Sequence, residues 1–273
     1  MYVGERKMSK PNEGNAEVDI PPELLITNFN DPIEAIVQST YPNLLSRYQN
    51  GQFVQSRAIL ASTVEAVDQI NDYVLKLVPG EQREYYSADK IDKSQINDAQ
   101  AFEFDMIPPE FLNSLKASDI ANHRFTLKVG TPITLLRDLD PSQGFFTGTR
   151  LIVTRLGQFV LQAQIMSGKN AGNMILIPRI PMSPSRSPWP FKLVRRQFPI
   201  SVSYAMTLDK PQGQSLDNVG LYLPRSVIRH DQLKVAFSSV KSKNGLKILI
   251  QDKDDKAMSS TINAVFKEVF GNL

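Results

Sequence analysis

The run Thr207-Leu208-Asp209-Lys210-Pro211-Gln212-Gly213-Gln214-Ser215 puts a lysine, two amides, a glycine and a serine within nine residues. It lies between two apolar, alternating segments, 198–206 and 216–223. At a strand end such a set can hold an anion: the ammonium supplies charge, and glycine lets backbone N–H groups approach closely. Lys-Pro and Gln-Gly are also ordinary turn chemistry, so the run alone is a weak signal. A second segment, Gln232-Leu233-Lys234-Val235-Ala236-Phe237-Ser238-Ser239-Val240, follows it closely.

Other chemistries find little support. The chain has no cysteine, which excludes disulfides, thiolate metal sites and thiol nucleophiles. His123 and His230 are too few and too far apart for a metal cluster, and no Ser-His-Asp or paired-carboxylate spacing is evident. No apolar run approaches the roughly 18 residues needed to span a bilayer. The polar start, residues 1–10, lacks the apolar core of a secretion signal. The expected setting is intracellular, with no membrane partner.

Charge is distributed unevenly along the 273 residues. Residues 141–208 contain no Asp or Glu and eight bases: Arg150, Arg155, Lys169, Arg179, Arg186, Lys192, Arg195 and Arg196. Residues 1–140 have a balance of −8 and residues 209–273 of +3. A long acid-free block favours a polyanion partner if its bases share a surface. Bases scattered over opposite faces of a β-rich unit would not.

The elements expected to position these residues follow from periodicity. Residues 57–61 read as a short buried strand. Residues 64–77 read as a helix with Val64, Val67, Ile70, Val74 and Leu77 on one stripe. Asp31-Pro32 suits a helix start. A strand at 84–87 completes βαβ grammar. After Pro108-Pro109 and a short helix at 110–115, short alternating strands are expected at 124–129, 131–136, 149–156, 159–165 and 174–177, as in a small barrel or sandwich. Strand-and-helix grammar resumes near Val202, with a helix after Gln212, a strand at 219–223, a helix at 229–239 and a strand at 247–250. Phe145-Phe146 suits either base stacking or a core, and Trp189 reads as a packing anchor.

With these elements in place, the 207–215 and 232–240 segments resemble the last two motifs of the Pif-one-type ATP-dependent DNA helicases of superfamily one, written TINKSQGQ and QLYVALSR. Segments 57–61 and 67–71 look like the strand and helix that open that family's second RecA-like domain. Segments 109–115 and 127–132 are similar to the start of its β-barrel insertion, and 148–151 and 195–199 to its later landmarks. The plant, Helitron-associated type is the nearest variant, and the resemblance runs from about Asp19 onward. It implies an α/β fold: a second RecA-like domain of P-loop-NTPase type interrupted by a small β-barrel insertion. The expected division is a disordered N-terminus at 1–16, the tail of a first RecA-like domain and linker at 17–50, the second domain at 51–108 and 197–273, and the insertion at 109–196.

The resemblance also implies roles. Lys210, Gln212, Gly213 and Gln214 stand where the family binds nucleotide. Thr63 and Thr207 stand where it meets DNA, and Arg150, Arg155, Arg195 and Arg196 add cations from the basic block. Four replacements depart from the pattern, three of them Asp209 for Asn or His, Pro211 for Ser, and Val64 for Asn. Ser239 replaces the arginine that reaches the γ-phosphate, a residue type worth roughly 10³–10⁵ in rate, so no catalytic residue is expected. The phosphate loop G-x-x-x-x-G-K-[ST] is not found in the sequence, nor is an apolar strand ending in Asp-Glu. ATP and Mg²⁺ therefore belong to the intact family and are not expected on this chain alone. The implied partners are single-stranded or forked DNA and a Walker-containing half. For intact relatives the resemblance implies 5′–3′ unwinding in the nucleus, with roles in DNA repair, recombination and telomere maintenance. The alternatives are a non-catalytic single-stranded-DNA-binding module and a decaying transposon remnant.

Overall fold

The computed structural model describes residues 9–12, 15–94, 98–117, 119–208, 215–225, 227–228, 237–252 and 254–264. The chain divides into two compact units, one from residues 1–77 with 204–273 and the other from 78–203.

The first unit opens with strands β1 (Ser9–Asn12) and β2 (Asn15–Asp19), paired antiparallel. Strand β2 also pairs with a distant strand, a contact no local pattern shows; the rest of the stretch 1–16, expected to be disordered, lies outside the described residues. Helix α1 (Pro32–Thr40) begins where Asp31-Pro32 suggests, and the Asp31 carboxylate accepts the Glu34 N–H at 2.9 Å. Short helices α2 (Leu44–Arg47) and α3 (Gly51–Gln55) lead into β3 (Arg57–Ala61) and α4 (Val64–Leu77). Ile36, Val37 and Tyr41 are buried within this unit.

In α4 the stripe is rotated from the expected one. Ala66, Val67, Ile70, Asn71, Val74 and Leu75 are buried, and Leu77 is exposed.

The second unit comprises β4 (Gln82–Tyr86), β5 (Ala88–Ile91), α5 (Asp98–Asp105), α6 (Pro109–Ser114), β6 (Arg124–Lys128), β7 (Pro132–Leu135), β8 (Arg150–Leu156), β9 (Val160–Ile165), β10 (Met174–Pro178), β11 (Ile180–Met182), β12 (Leu193–Gln197) and β13 (Ile200–Val202). Five strands pair antiparallel in the order β10-β9-β8-β7-β13; β11-β12-β5 and β4-β6 form smaller sheets. Leu127, Ile133, Leu135, Leu151, Leu161 and Phe198 fill its main core. The five-stranded sheet has β10 and β13 at its two ends, so among the described residues it is open and not a closed barrel. The unit begins at residue 78: β4 pairs with β6 and β5 with β12, and neither joins the parallel sheet.

The chain then returns to the first unit with β14 (Ala205–Thr207), β15 (Asn218–Leu223), β16 (Val227–Ile228), β17 (Leu246–Ile250) and β18 (Ser260–Ala264). Strands β14-β3-β15-β17 make a parallel four-stranded sheet in that order. Strands β1-β2-β18-β16 form a second sheet. Near-continuous apolar strands such as Leu246–Ile250 are what a sheet covered on both faces requires. Gly220 of β15 faces α1: a Cβ there would meet Thr40 Oγ1 at 2.2 Å, so the missing side chain is what lets the helix approach the sheet.

Candidate functional site

Thr207, the first residue of the 207–215 run, lies at the carboxyl end of the parallel sheet. Thr207 ends β14 in register with Ala61, the last residue of β3. Two residues beyond Ala61, the Thr63 hydroxyl accepts the Ala66 N–H at 3.2 Å and caps α4. Thr63 therefore serves its own helix, a role that β-to-α capping chemistry explains without a ligand. The carboxyl end of such a sheet, with a helix N-terminus beside it, is where anions bind in parallel α/β units. Lys210, Gln212, Gly213 and Gln214 lie outside the described residues, as does most of the 229–239 helix.

On the far side of the run, Leu216 N–H donates to Ser239 O at 2.8 Å, and Lys241 N–H to Leu216 O at 2.9 Å. This bridge sits just before β15, at the amino end of the sheet. Thr207 and Leu216 thus stand at opposite ends of the sheet. Ser239 is buried at that amino end. The expected arginine position accordingly faces protein, and a serine fits there.

Strand β14 is an edge, and α4 holds it. The Asn71 amide donates to Ala205 O at 3.1 Å and accepts Ala205 N–H at 2.8 Å. The Tyr41 hydroxyl donates to Tyr204 O at 2.9 Å. The sequence reading missed Asn71, although a polar residue four positions after Val67 on an apolar stripe is a visible signal.

The four arginines separate. Arg195 is fully buried in the second unit. Its Nε and Nη2 bond both oxygens of Asp89 at 2.7–3.1 Å, and its remaining donors reach Leu112 O, Leu115 O and Ala121 O at 3.1 Å. All five N–H donors are used, so Arg195 ties strand β12 to β5 and the α6 region and is not a surface cation. Arg150 is also buried, and its Nη2 donates to Ser203 O at 3.0 Å. Arg155 and Arg196 are exposed. Strand alternation explains the split at 195 and 196, since successive side chains point to opposite faces. Asp89 gave no sequence signal, because its partner is 106 positions away.

Around Asp89 the Ser87 hydroxyl donates to Oδ1 at 2.6 Å and lies 2.8 Å from His123 Nδ1. Burial holds the His123 pKa below its ordinary value; Asp89 pulls it up and Arg195 pushes it down. Phe145 is buried in the core and Phe146 exposed. Trp189 stacks on Phe191 with centroids 6.3 Å apart, consistent with an anchor. Among the described residues no cluster of three or more metal-ligating side chains occurs, and no helix is long and apolar enough to cross a membrane.

The family description "DNA helicase Pif1, 2B domain" matches residues 110–156. The ATP-dependent DNA helicase PIF1 of Xenopus laevis is 26% identical over 215 residues, covering 75% of this chain and 29% of the relative. Over part of its length the chain is similar to Pif1-type DNA helicases. The human PIF1 helicase is 29% identical over 144 residues, 52% of this chain and 22% of that protein. The chain thus spans less than a third of the length of these relatives. The crystal structure of Pif1 helicase from Candida albicans aligns with 88% of this chain and 56% of its own, with a TM-score of 0.51 and 15% identity, a likeness of fold. The Pif1 2B match begins in α6 and ends with β8, and it contains both Arg150 and Arg155.

Proposed function

We propose that this chain is part of an ATP-dependent DNA helicase of Pif1 type. In this reading its parallel-sheet unit is the second RecA-like domain and its β-rich unit a DNA-contacting insertion. The observation that carries the reading is the 2B match at 110–156, which falls wholly inside the unit 78–203 and overlaps the acid-free block 141–208. Exposed Arg155 and Arg196 supply cations for the phosphates of single-stranded or forked DNA. The run from Thr207 to Gln214 leaves the carboxyl end of the sheet, where a nucleotide phosphate fits. Hydrolysis of ATP with Mg²⁺ then requires a Walker-bearing half, since the phosphate loop is not in this sequence and Ser239 is buried. The proposed compartment is the nucleus.

The test is fluorescence anisotropy of a labelled single-stranded oligonucleotide across a salt series. Micromolar or tighter binding that weakens steeply with salt is expected. The Arg155→Glu, Arg196→Glu double variant should bind at least about tenfold more weakly and lower the salt slope by about 0.7 per phosphate contact removed. Unchanged affinity in that variant, with the fold intact, would remove the β-rich unit from DNA binding.

A further inference from the structure

Strand β10 ends the five-stranded sheet, and its open side is uncharged. The stretch Asn170 to Pro178 contains no ionisable side chain. Edge strands in soluble proteins are usually blunted by a charge, a bulge or a proline. In the same unit, edge strand β5 carries Lys90 and edge strand β11 carries Pro181. Strand β10 has only Pro178, at its last position.

Its backbone polarity is fixed by β9. Ile165 N–H donates to Asn173 O at 2.9 Å, and Ile175 and Ile177 stand opposite Ala163 and Leu161. Antiparallel alternation then turns the N–H and C=O groups of Met174 and Leu176 to the open side, together with the Pro178 carbonyl. The side chains of these two residues are 44% and 64% exposed, whereas Ile177 is fully buried. Among the described residues the sheet edge thus presents two unpaired donors beside two large apolar side chains.

We infer that β10 pairs antiparallel with β10 of a second copy of this chain, joining two five-stranded sheets across a two-fold axis at Ile175. The segment is self-complementary in this register. Met174 and Leu176 exchange hydrogen bonds with Leu176 and Met174 of the second copy, and their side chains meet on the outer face. No like charges oppose: Lys169 falls opposite Pro181, and Arg179 opposite Ala171. The Arg179 guanidinium is moreover engaged by Gln197 Oε1 at 3.1 Å and lies 4.8 Å over the Phe198 ring. Pro178 lacks an N–H and ends the pairing, which favours a closed pair over a growing sheet. The largely apolar character of the strand argues against DNA as its occupant.

Pairing through one five-residue strand from each copy is of the weak class, so the test is light scattering of the full chain from about 1 to about 100 μM. The scattering mass should double with concentration. A Met174→Lys, Leu176→Lys variant should remain single throughout, as should a Met174→Glu, Leu176→Glu variant. An equimolar mixture of the two should restore doubling, because the register sets Lys against Glu. Amide exchange at Met174 and Leu176 of the unsubstituted chain should slow with concentration, which needs no variant. A single mass at about 100 μM, larger aggregates, doubling that survives the lysine pair, a mixture that stays single, or concentration-independent exchange would each overturn the pairing.

Discussion

Arg195 and Arg196 are adjacent and chemically identical, yet one is an interior tie and the other a surface cation. Removing one partner of a buried ion pair strands the other. Arg195→Ala should therefore cost about 3–5 kcal/mol, read as a lower urea midpoint, because Asp89 keeps its charge without its partner. Arg196→Ala should stay within about 0.5 kcal/mol of the parent. A weaker DNA complex in an Arg195 variant would accordingly report lost folding and not a lost phosphate contact. His123 offers a second test. Its folded pKa lies below the ordinary histidine value of about 6.5, so the unfolded chain takes up the proton first as pH falls. Its contribution is complete above about pH 6.5 and is lost as pH drops through the lower folded value. Urea midpoints measured from about pH 7 to about pH 5 should fall less steeply in His123→Asn than in the parent. A constant difference across that window would show that His123 does not titrate this way.

Elements depend on a few contacts between them. Edge strand β14 delivers the chain to the Thr207–Ser215 run, and Asn71 holds it through both polar groups of Ala205. Asn71→Leu leaves those groups unpaired and should destabilise the fold by about 2–3 kcal/mol in denaturant titration. Gly220→Ala forces α1 away from the sheet and should cost about 1–3 kcal/mol, with the larger loss expected if Thr40 cannot turn aside. The contrast between what was legible and what was not lies at this scale. Strand β3 and helix α4 fall on their expected residues because a buried strand and a 3.6-residue stripe are local patterns. The pairing of β4 with β6 and of β2 with β18 is not local and leaves no pattern in the sequence. The direction of a helix stripe is likewise set by its neighbour: the Ala205 backbone draws Asn71 inward and leaves Leu77 outside.

At the scale of the molecule, the acid-free block is a sequence fact that gains meaning only from burial. Among its bases, Arg150 and Arg195 are consumed inside the β-rich unit, while Arg155 and Arg196 remain on the surface. Polyanion binding should therefore be weaker and less salt-dependent than eight free cations would give. The slope of log affinity against log salt measures how many remain, at about 0.7 per contact for a single strand. A slope near that of eight contacts would show that the buried pairs open on binding.

The amino-acid sequence by itself determined the elements with strong local periodicity, the absence of thiol chemistry, the basic block and the motif resemblance that led to the Pif1 family. These are properties of residue type and spacing. Only the tertiary structure decided which arginines are available, that Ser239 is interior and that, among the described residues, the sheet at β10 ends open. Each of those depends on partners brought together from distant parts of the chain, and burial or pairing of a side chain is a property of both members of a contact.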